Sequence, residues 1–111
     1  MNNVPLAPLQ MKTYNLTKTY KILILNAMWE IQWEKKALRQ LKKFIPQDQE
    51  TIVKTVRGLT SWPDCRNVKA LIDHPYPYRL RVGRYRIFFI VDGNLHSIKI
   101  EEVKKRHEST Y

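Results

Sequence analysis

Three observations predict an α+β fold for this chain of 111 residues. Apolar and polar side chains alternate after residue 28, apolar ones recur at intervals of three and four between residues 37 and 59, and the last third is rich in alternating β-formers. The first and last patterns are typical of strands, and the middle one of amphipathic helices. We therefore expect an N-terminal strand and a helical hairpin packed on one face of a small antiparallel β-sheet.

The first strand and the two helices follow from the spacing between residues 29 and 59. Trp29, Ile31 and Trp33 alternate with polar residues, which indicates a half-buried strand. Pro46 divides the helical stretch because proline ends one helix and suits the first turn of the next. Gly58 is placed for a left-handed helix end. The apolar faces comprise Ala37, Leu38, Leu41, Phe44 and Ile45, then Ile45 again with Gln49, Ile52, Val53, Val56 and Leu59.

The remaining strands are predicted from turn residues and β-formers. Turn residues fill positions 60–77, with a short strand expected around Asn67–Leu71 and Trp62 packed beneath the loop. Further strands are expected over Tyr78–Val82, Tyr85–Val91 and Leu95–Val103, with a turn or bulge at Gly83. Asp92-Gly93 predicts the last hairpin, since both residues of such a turn adopt positive φ.

The N-terminal quarter of the chain differs from the rest. Residues 1–27 contain no acid, two prolines and no long periodic pattern. We expect them to form an extension that is partly disordered, with a short strand or edge over Tyr20–Leu25. Residues 28–111 then form the single folded domain.

The charge of the chain narrows the class of partner. Lys and Arg number 20 against 10 Asp and Glu, for a net charge of +10. This excess favours nucleic acid, an anionic membrane surface or an acidic protein as partner.

The sequence also excludes several classes of site and location. Because Cys65 is the single cysteine, an internal disulfide and a multi-cysteine zinc site are excluded, and no metal is expected. Apolar runs such as Ile22–Leu25 are too short to span a membrane. Without a secretory signal, the expected compartment is the cytoplasm.

Basic residues concentrate in the last third. Arg79 and Arg81 share one face of their strand because successive side chains alternate. If Arg86 on the next strand faces the same way, three guanidinium groups converge on one concave patch, and the tail Lys104–His107 folds over its rim. A solvated sheet face is the plain alternative. However, neighbouring like charges repel, and the planar fork of arginine suits phosphate, so the cluster favours a nucleic-acid backbone.

These residues also carry a family resemblance. The run Tyr78–Phe89, reading YRLRVGRYRIFF, follows Asn67–Leu71, reading NVKAL, and the chain ends in KKRHESTY. Together they resemble the RelE/ParE superfamily, the toxins of bacterial type II toxin–antitoxin pairs. The resemblance covers about residues 28–111 and implies the same order of elements.

The resemblance implies one of three functions. RelE-like members cut mRNA on the ribosome, ParE-like members inhibit DNA gyrase without enzymatic activity, and a decayed member would only bind RNA. The RelE-like branch carries basic residues at positions that match Arg79, Arg81 and Arg86, one more near Lys105, and a tyrosine that matches Tyr111. This chain has suitable residues at all five positions, so the sequence favours an endoribonuclease that inhibits translation. The implied partners are a cognate antitoxin, the ribosome and mRNA, with DNA reached only through the antitoxin and no membrane.

The expected reaction is metal-independent, needs no cofactor and uses the RNA 2′-hydroxyl as nucleophile. The three arginines would stabilise the extra negative charge on the phosphate. The resemblance has one departure here, because the best-known members carry lysine at the positions of Arg79 and Arg81. Arginine stays protonated and is therefore a poor base. The proton transfers therefore fall to His107, with Tyr111 and Lys105 as further candidates. The expected RNA contacts are Lys35, Lys36, Lys42, Lys43, Arg84, Lys104 and Arg106. His74 and His96 are interpreted as loop and sheet-surface residues.

Overall fold

The computed structural model describes residues 28–106. The strand expected over Tyr20–Leu25 and the tail residues His107 and Tyr111 lie outside these residues. The described elements, in chain order, are β1 (Glu30–Trp33), α1 (Lys35–Leu41), α2 (Pro46–Arg57), a 3-10 helix (Gly58–Ser61), β2 (Val68–Ala70), β3 (Tyr78–Val82), β4 (Tyr85–Asp92) and β5 (Ser97–Lys105).

The strands form one five-stranded mixed sheet in the order β1-β5-β4-β3-β2. Neighbours β2 to β5 pair antiparallel, whereas β1 pairs parallel with β5. The α+β fold is confirmed, but the expectation of a purely antiparallel sheet is wrong at β1. Parallel neighbours need a long connection between them, and here both helices and three strands separate β1 from β5 along the chain.

The core lies between one face of the sheet and the two helices. Its fully buried side chains come from both layers: Ala37, Ile52, Val56 and Leu59 from the helical stretch, and Leu80, Ile87, Phe89, Ile98, Ile100 and Val103 from β3, β4 and β5 of the sheet. Each fully buried aliphatic or aromatic side chain contributes about 1.5–3 kcal/mol. Trp62 packs edge-on against Tyr78 and Phe89, at 4.8 and 5.6 Å between ring centroids, which confirms its place beneath the loop.

The first helix is shorter than its apolar face predicts. It ends at Leu41, and Ile45 has an extended backbone, with φ −63° and ψ 150°. Proline disfavours the helical region for the residue before it, so Pro46 ends the first helical stretch early. The side chain of Gln49 then closes the joint by donating to the carbonyl oxygen of Phe44 at 2.8 Å.

Two predicted turns form in a different way. Gly58 has φ −63° and ψ −17°, so the expected left-handed cap is wrong and the chain continues into the 3-10 helix. In the last hairpin neither Asp92 nor Gly93 has positive φ, and the left-handed residue is His96, at φ 53°. The Asp92 carboxylate accepts a hydrogen bond from the Leu95 N–H at 3.1 Å, so it closes a longer turn than a two-residue loop.

Candidate functional site

The arginines predicted to converge lie on one face of the sheet. Arg81 is directly opposite Arg86, and Arg79 is opposite Phe88. Residues opposite each other in antiparallel strands project to the same side. Leu80 on the same strand is buried in the core. The arginines therefore lie on the face away from the core, and this open face is defined by Arg79, Arg81, Arg86, Phe88, Glu102 and Lys104.

The three arginines are held differently. Arg86 is half-buried and donates from Nη1 to the carbonyl oxygens of Gly83 and Tyr85, at 3.2 and 3.1 Å, which ties its guanidinium to the β3–β4 turn. That turn needs Gly83, whose φ is +56°. Arg81 is exposed. Arg79 is half-buried, and its Nε is buried without a hydrogen-bond partner among the described residues.

A β-bulge decides which tail lysine joins them. Phe89 is opposite Ile100 and Phe88 is opposite Glu102, so Glu101 is the extra residue of β5. The bulge shifts the alternation by one residue. It places Lys104 opposite Arg86 and Lys105 opposite Tyr85. Lys105, the expected site residue, therefore lies on the side of the sheet away from the arginines, and Lys104 lies with them.

The open face also carries aromatic residues that the sequence analysis did not assign to the site. His74 lies nearly parallel to Phe88, with ring centroids 5.0 Å apart and an interplanar angle of 18°. Tyr76 stacks on Phe88 as well, at 5.6 Å and 29°. Phe88 itself is the signal that could have shown this, because it is an apolar side chain at an outward position between arginines. His74, read as a plain loop residue, belongs to this cluster.

Glu102 connects this cluster to the basic residues. Its carboxylate accepts a hydrogen bond from Tyr76 Oη at 3.0 Å and pairs with Lys36 Nζ at 3.4 Å and Lys104 Nζ at 3.6 Å. The side chain is 10% exposed. Burial acts to raise the pKa of Glu102, but the hydrogen bond from Tyr76 and the two lysines outweigh it and hold the pKa below its ordinary value. The carboxylate is therefore a fixed negative charge within a basic surface.

The other expected RNA contacts are spread more widely. Lys35, Lys42, Lys43 and Arg84 are exposed, whereas Lys36 is engaged by Glu102. Arg106 is half-buried, and its backbone N–H donates to the Arg84 carbonyl, which keeps the start of the tail beside the β3–β4 turn. The structure brings Arg79, Arg81, Arg86 and Lys104 together on the open face. Of the helical lysines, Lys36 is linked to this cluster through Glu102.

A shallow cavity of about 210 Å³ lies near the same turn on the helical side of the sheet. Asp48, Arg84 and Tyr85 line it, and Tyr85 Oη donates to Asp48 at 2.6 Å. Burial and this hydrogen bond raise the pKa of Tyr85. Within residues 28–106 no group of three or more His, Cys, Asp or Glu side chains could hold a metal ion. No helix in that range is long and apolar enough to cross a membrane.

Comparison with solved structures relates this fold to known toxins. The toxin–antitoxin complex RelBE2 of Mycobacterium tuberculosis matches with a TM-score of 0.62 and 24% identity, over 71% of this chain and 99% of that one. The RelE–RelB complex of Pyrococcus horikoshii matches with a TM-score of 0.62 and 22% identity, over 73% of this chain and 98% of that one. The isolated E. coli RelE toxin gives 0.61 and 18%, over 72% and 86%. No protein-family model and no curated protein matches the sequence. The described domain has the fold of the RelE toxins.

Proposed function

We propose that this protein is the toxin of a type II toxin–antitoxin pair and that it cuts mRNA on the ribosome, which inhibits translation. Residues 28–111 are the toxin domain in this proposal, and residues 1–27 are an extension. The observation that carries it is the clustering of Arg79, Arg81, Arg86 and Lys104 on the open face. Like charges on neighbouring strands repel, so an anionic ligand stabilises the cluster.

The reaction needs these cations at the scissile phosphate. The 2′-oxygen of the RNA attacks phosphorus, the bond from phosphorus to the 5′-oxygen breaks, and the products are a 2′,3′-cyclic phosphate and a 5′-hydroxyl. Charge on the phosphoryl oxygens increases in the transition state. Preorganised donors at such a site contribute on the order of 3–4 kcal/mol each. Arg86, anchored to two carbonyl oxygens, is the most preorganised of the set.

The proton transfers are assigned to the segment after β5. Arginine stays protonated in proteins, so Arg79, Arg81 and Arg86 serve as donors and not as a base. The proposal gives the acid or base role to His107, because histidine is the side chain type suited to proton transfer near neutral pH. It gives Tyr111 stacking on the substrate or a share of the proton transfer. Lys104 joins the arginines in the electrostatic role, since it is the lysine opposite Arg86, whereas Lys105, a candidate for proton transfer, is opposite Tyr85.

The proposed partners follow from the charge and from the similar structures. Two of those structures are complexes of a RelE toxin with an antitoxin. For this chain we propose a cognate antitoxin with an acidic segment, which would neutralise part of the net charge of +10. DNA contact would come through the antitoxin. The ribosome and mRNA are the proposed targets, and the cytoplasm is the proposed compartment.

The test is induction of the full chain in a bacterial host, with mapping of new mRNA 5′ ends. We expect codon-phased cuts that carry a 5′-hydroxyl, lost in Arg86→Ala and reduced in Arg81→Ala. Arg57→Ala, at the exposed end of α2, is the matched control and should cut like the wild type. Growth arrest without such cuts would reject the nuclease and would direct the next assay to DNA gyrase supercoiling.

A further inference from the structure

The loop between β2 and β3 folds over the open face and is held there at both ends. The Leu71 N–H donates to the Pro77 carbonyl at 2.8 Å, which closes the loop at its base. At its far side Tyr76 reaches Glu102 on β5 with its hydroxyl, at 3.0 Å. The loop therefore extends from the edge of the sheet across β4 to β5.

The backbone of this loop is restricted before any ligand binds. Asp73 adopts φ 53°, a left-handed conformation that Asp tolerates better than most residues. Pro75 and Pro77 fix their own φ angles. The backbone N–H of Tyr76 donates to Nδ1 of His74 at 3.1 Å, which fixes the orientation of the imidazole ring. A ring held in this way loses little conformational entropy when a ligand packs on it.

The rings form a layered stack with Phe88 at the bottom. His74 covers Phe88 at 5.0 Å, and Tyr76 lies beside His74 at 6.0 Å between ring centroids. His74 is exposed, so the ring face turned away from Phe88 is available to solvent. Phe88 is opposite Arg79, and the Arg81–Arg86 pair lies two residues further along the strands, a distance of about 7 Å. That distance is one that a single nucleotide spans between its base and a phosphate.

We propose that the stack formed by His74, Tyr76 and Phe88 is a platform on which one base of single-stranded RNA packs, against the exposed face of His74. Aromatic rings beside a row of cations are the combination that binds single-stranded nucleic acid, because rings take the bases and cations take the phosphates. The inference rests on the proposed RNA function and names the part of the surface that binds the base. Glu102 is the positioning residue, since it holds Tyr76 and, through it, the loop.

The test compares two short RNA oligonucleotides of equal length and charge, one with bases and one abasic, both 2′-O-methylated so that they cannot be cut. Binding to the full chain is measured by fluorescence anisotropy. We expect the wild type to prefer the base-containing oligonucleotide. We expect His74→Ala to lower the affinity for that oligonucleotide about tenfold, or about 1.4 kcal/mol. The affinity for the abasic oligonucleotide should stay unchanged. His74→Phe keeps a ring and should retain the preference.

Three results would overturn the platform. They are equal binding of both oligonucleotides by the wild type, an unchanged preference in His74→Ala, and loss of preference in His74→Phe, which would point to imidazole chemistry and not stacking. Circular dichroism of each variant shows that it is folded. The proposed nuclease is judged separately, because codon-phased cuts by the wild type together with no base preference would remove the platform alone. Arg86→Ala should weaken both oligonucleotides, which separates the phosphate contacts from the base contact.

Discussion

At the scale of single residues, Glu102 shows how one carboxylate can organise a basic surface. Among the described residues it accepts hydrogen bonds from Tyr76 and Gln40 and pairs with Lys36 and Lys104. These partners come from a loop, a helix and its own strand. A polar group this buried is costly unless it is satisfied. The alternation Ile98–Ile100 would put Glu102 in the core, and only the bulge at Glu101 brings it to the open face.

The variant Glu102→Gln should lower the free energy of unfolding by about 1 kcal/mol near pH 7, because a charge-assisted hydrogen bond becomes a neutral one. The pKa of Glu102 is lowered in the fold, so its contribution is present above the unfolded pKa and is lost as pH falls through the folded value. The difference between the wild type and the variant should therefore shrink as pH falls below the unfolded pKa of Glu, about 4.3, and through the lower folded value. Urea unfolding at pH 6 and pH 3 measures both values.

Glu101→Gln is the matched control for this prediction, since Glu101 is the adjacent half-buried bulge residue. It should unfold like the wild type at both pH values. A difference between Glu102→Gln and the wild type that stays constant down to pH 3 would contradict the assigned charge. Asp92, whose pKa is lowered first by the Leu95 N–H, titrates in the same range but is common to all three proteins.

At the scale of elements, α1 completes the sheet where β1 is too short to do so. Strand β1 pairs with β5 only as far as Ile100, where the Glu34 N–H still donates to the Ile100 carbonyl at 3.0 Å. Beyond it, the Val103 N–H donates to Gln40 Oε1 at 2.7 Å. A side chain of the helix thus takes the place of a strand partner and covers an open sheet edge.

Removing that side chain with Gln40→Ala should cost about 1–3 kcal/mol, because the buried Val103 N–H loses its acceptor. The same change should speed hydrogen exchange of the Val103 amide relative to its neighbours in β5. Arg39 is exposed on the same helix, so Arg39→Ala should leave both the free energy of unfolding and the exchange of the Val103 amide unchanged. Unaltered exchange at Val103 in a folded Gln40→Ala protein would show that the contact does not protect this edge.

Local patterns explain which elements the sequence predicted well. The strands at Trp29–Trp33 and Tyr78–Val82 follow from period-two alternation, and the helix boundary at Pro46 follows from backbone sterics. The parallel pairing of β1 with β5 joins residues almost seventy positions apart, and no local pattern encodes it. The turn with positive φ at His96 was missed because the Asp92 carboxylate closes a longer turn, whereas Asp92-Gly93 predicted a two-residue turn with positive φ at both residues.

At the scale of the whole molecule, local sequence patterns predicted the part of the candidate site that follows from strand alternation and missed the part that depends on a bulge and on the folding of a loop. Alternation predicted that Arg79 and Arg81 face the same way, and pairing with β4 adds Arg86. Lys105 was expected at the site from the family resemblance, and strict alternation from Ile98 and Ile100 would also turn it outward. The spacing of Ile98, Ile100 and Val103, first two and then three residues, was the available sign of a bulge. The contact of His74 with Phe88 depends on how the loop folds back, which spacing alone does not encode.

The net charge of +10 makes overall RNA affinity a poor measure of this surface, because every cation attracts RNA at long range. The salt dependence separates contact from attraction, since each phosphate contact on a single strand contributes a slope of about 0.7 in log affinity against log salt. Lys104 and Lys105 are both exposed neighbours of equal charge, and they differ in the face on which they lie. They therefore form a matched pair for testing whether the open face binds phosphate.

We expect Lys104→Ala and Arg81→Ala each to reduce the salt slope of oligonucleotide binding by about 0.7, the value for one lost phosphate contact. Lys105→Ala removes the same charge from the opposite side and should lower affinity slightly with the slope unchanged. Anisotropy titrations at four salt concentrations measure all three slopes. Equal losses of slope for Lys104→Ala and Lys105→Ala would mean that RNA senses the net charge and not the geometry of this face. That result would contradict direct phosphate binding by the arginines of the open face, because their arrangement would make no difference to RNA affinity.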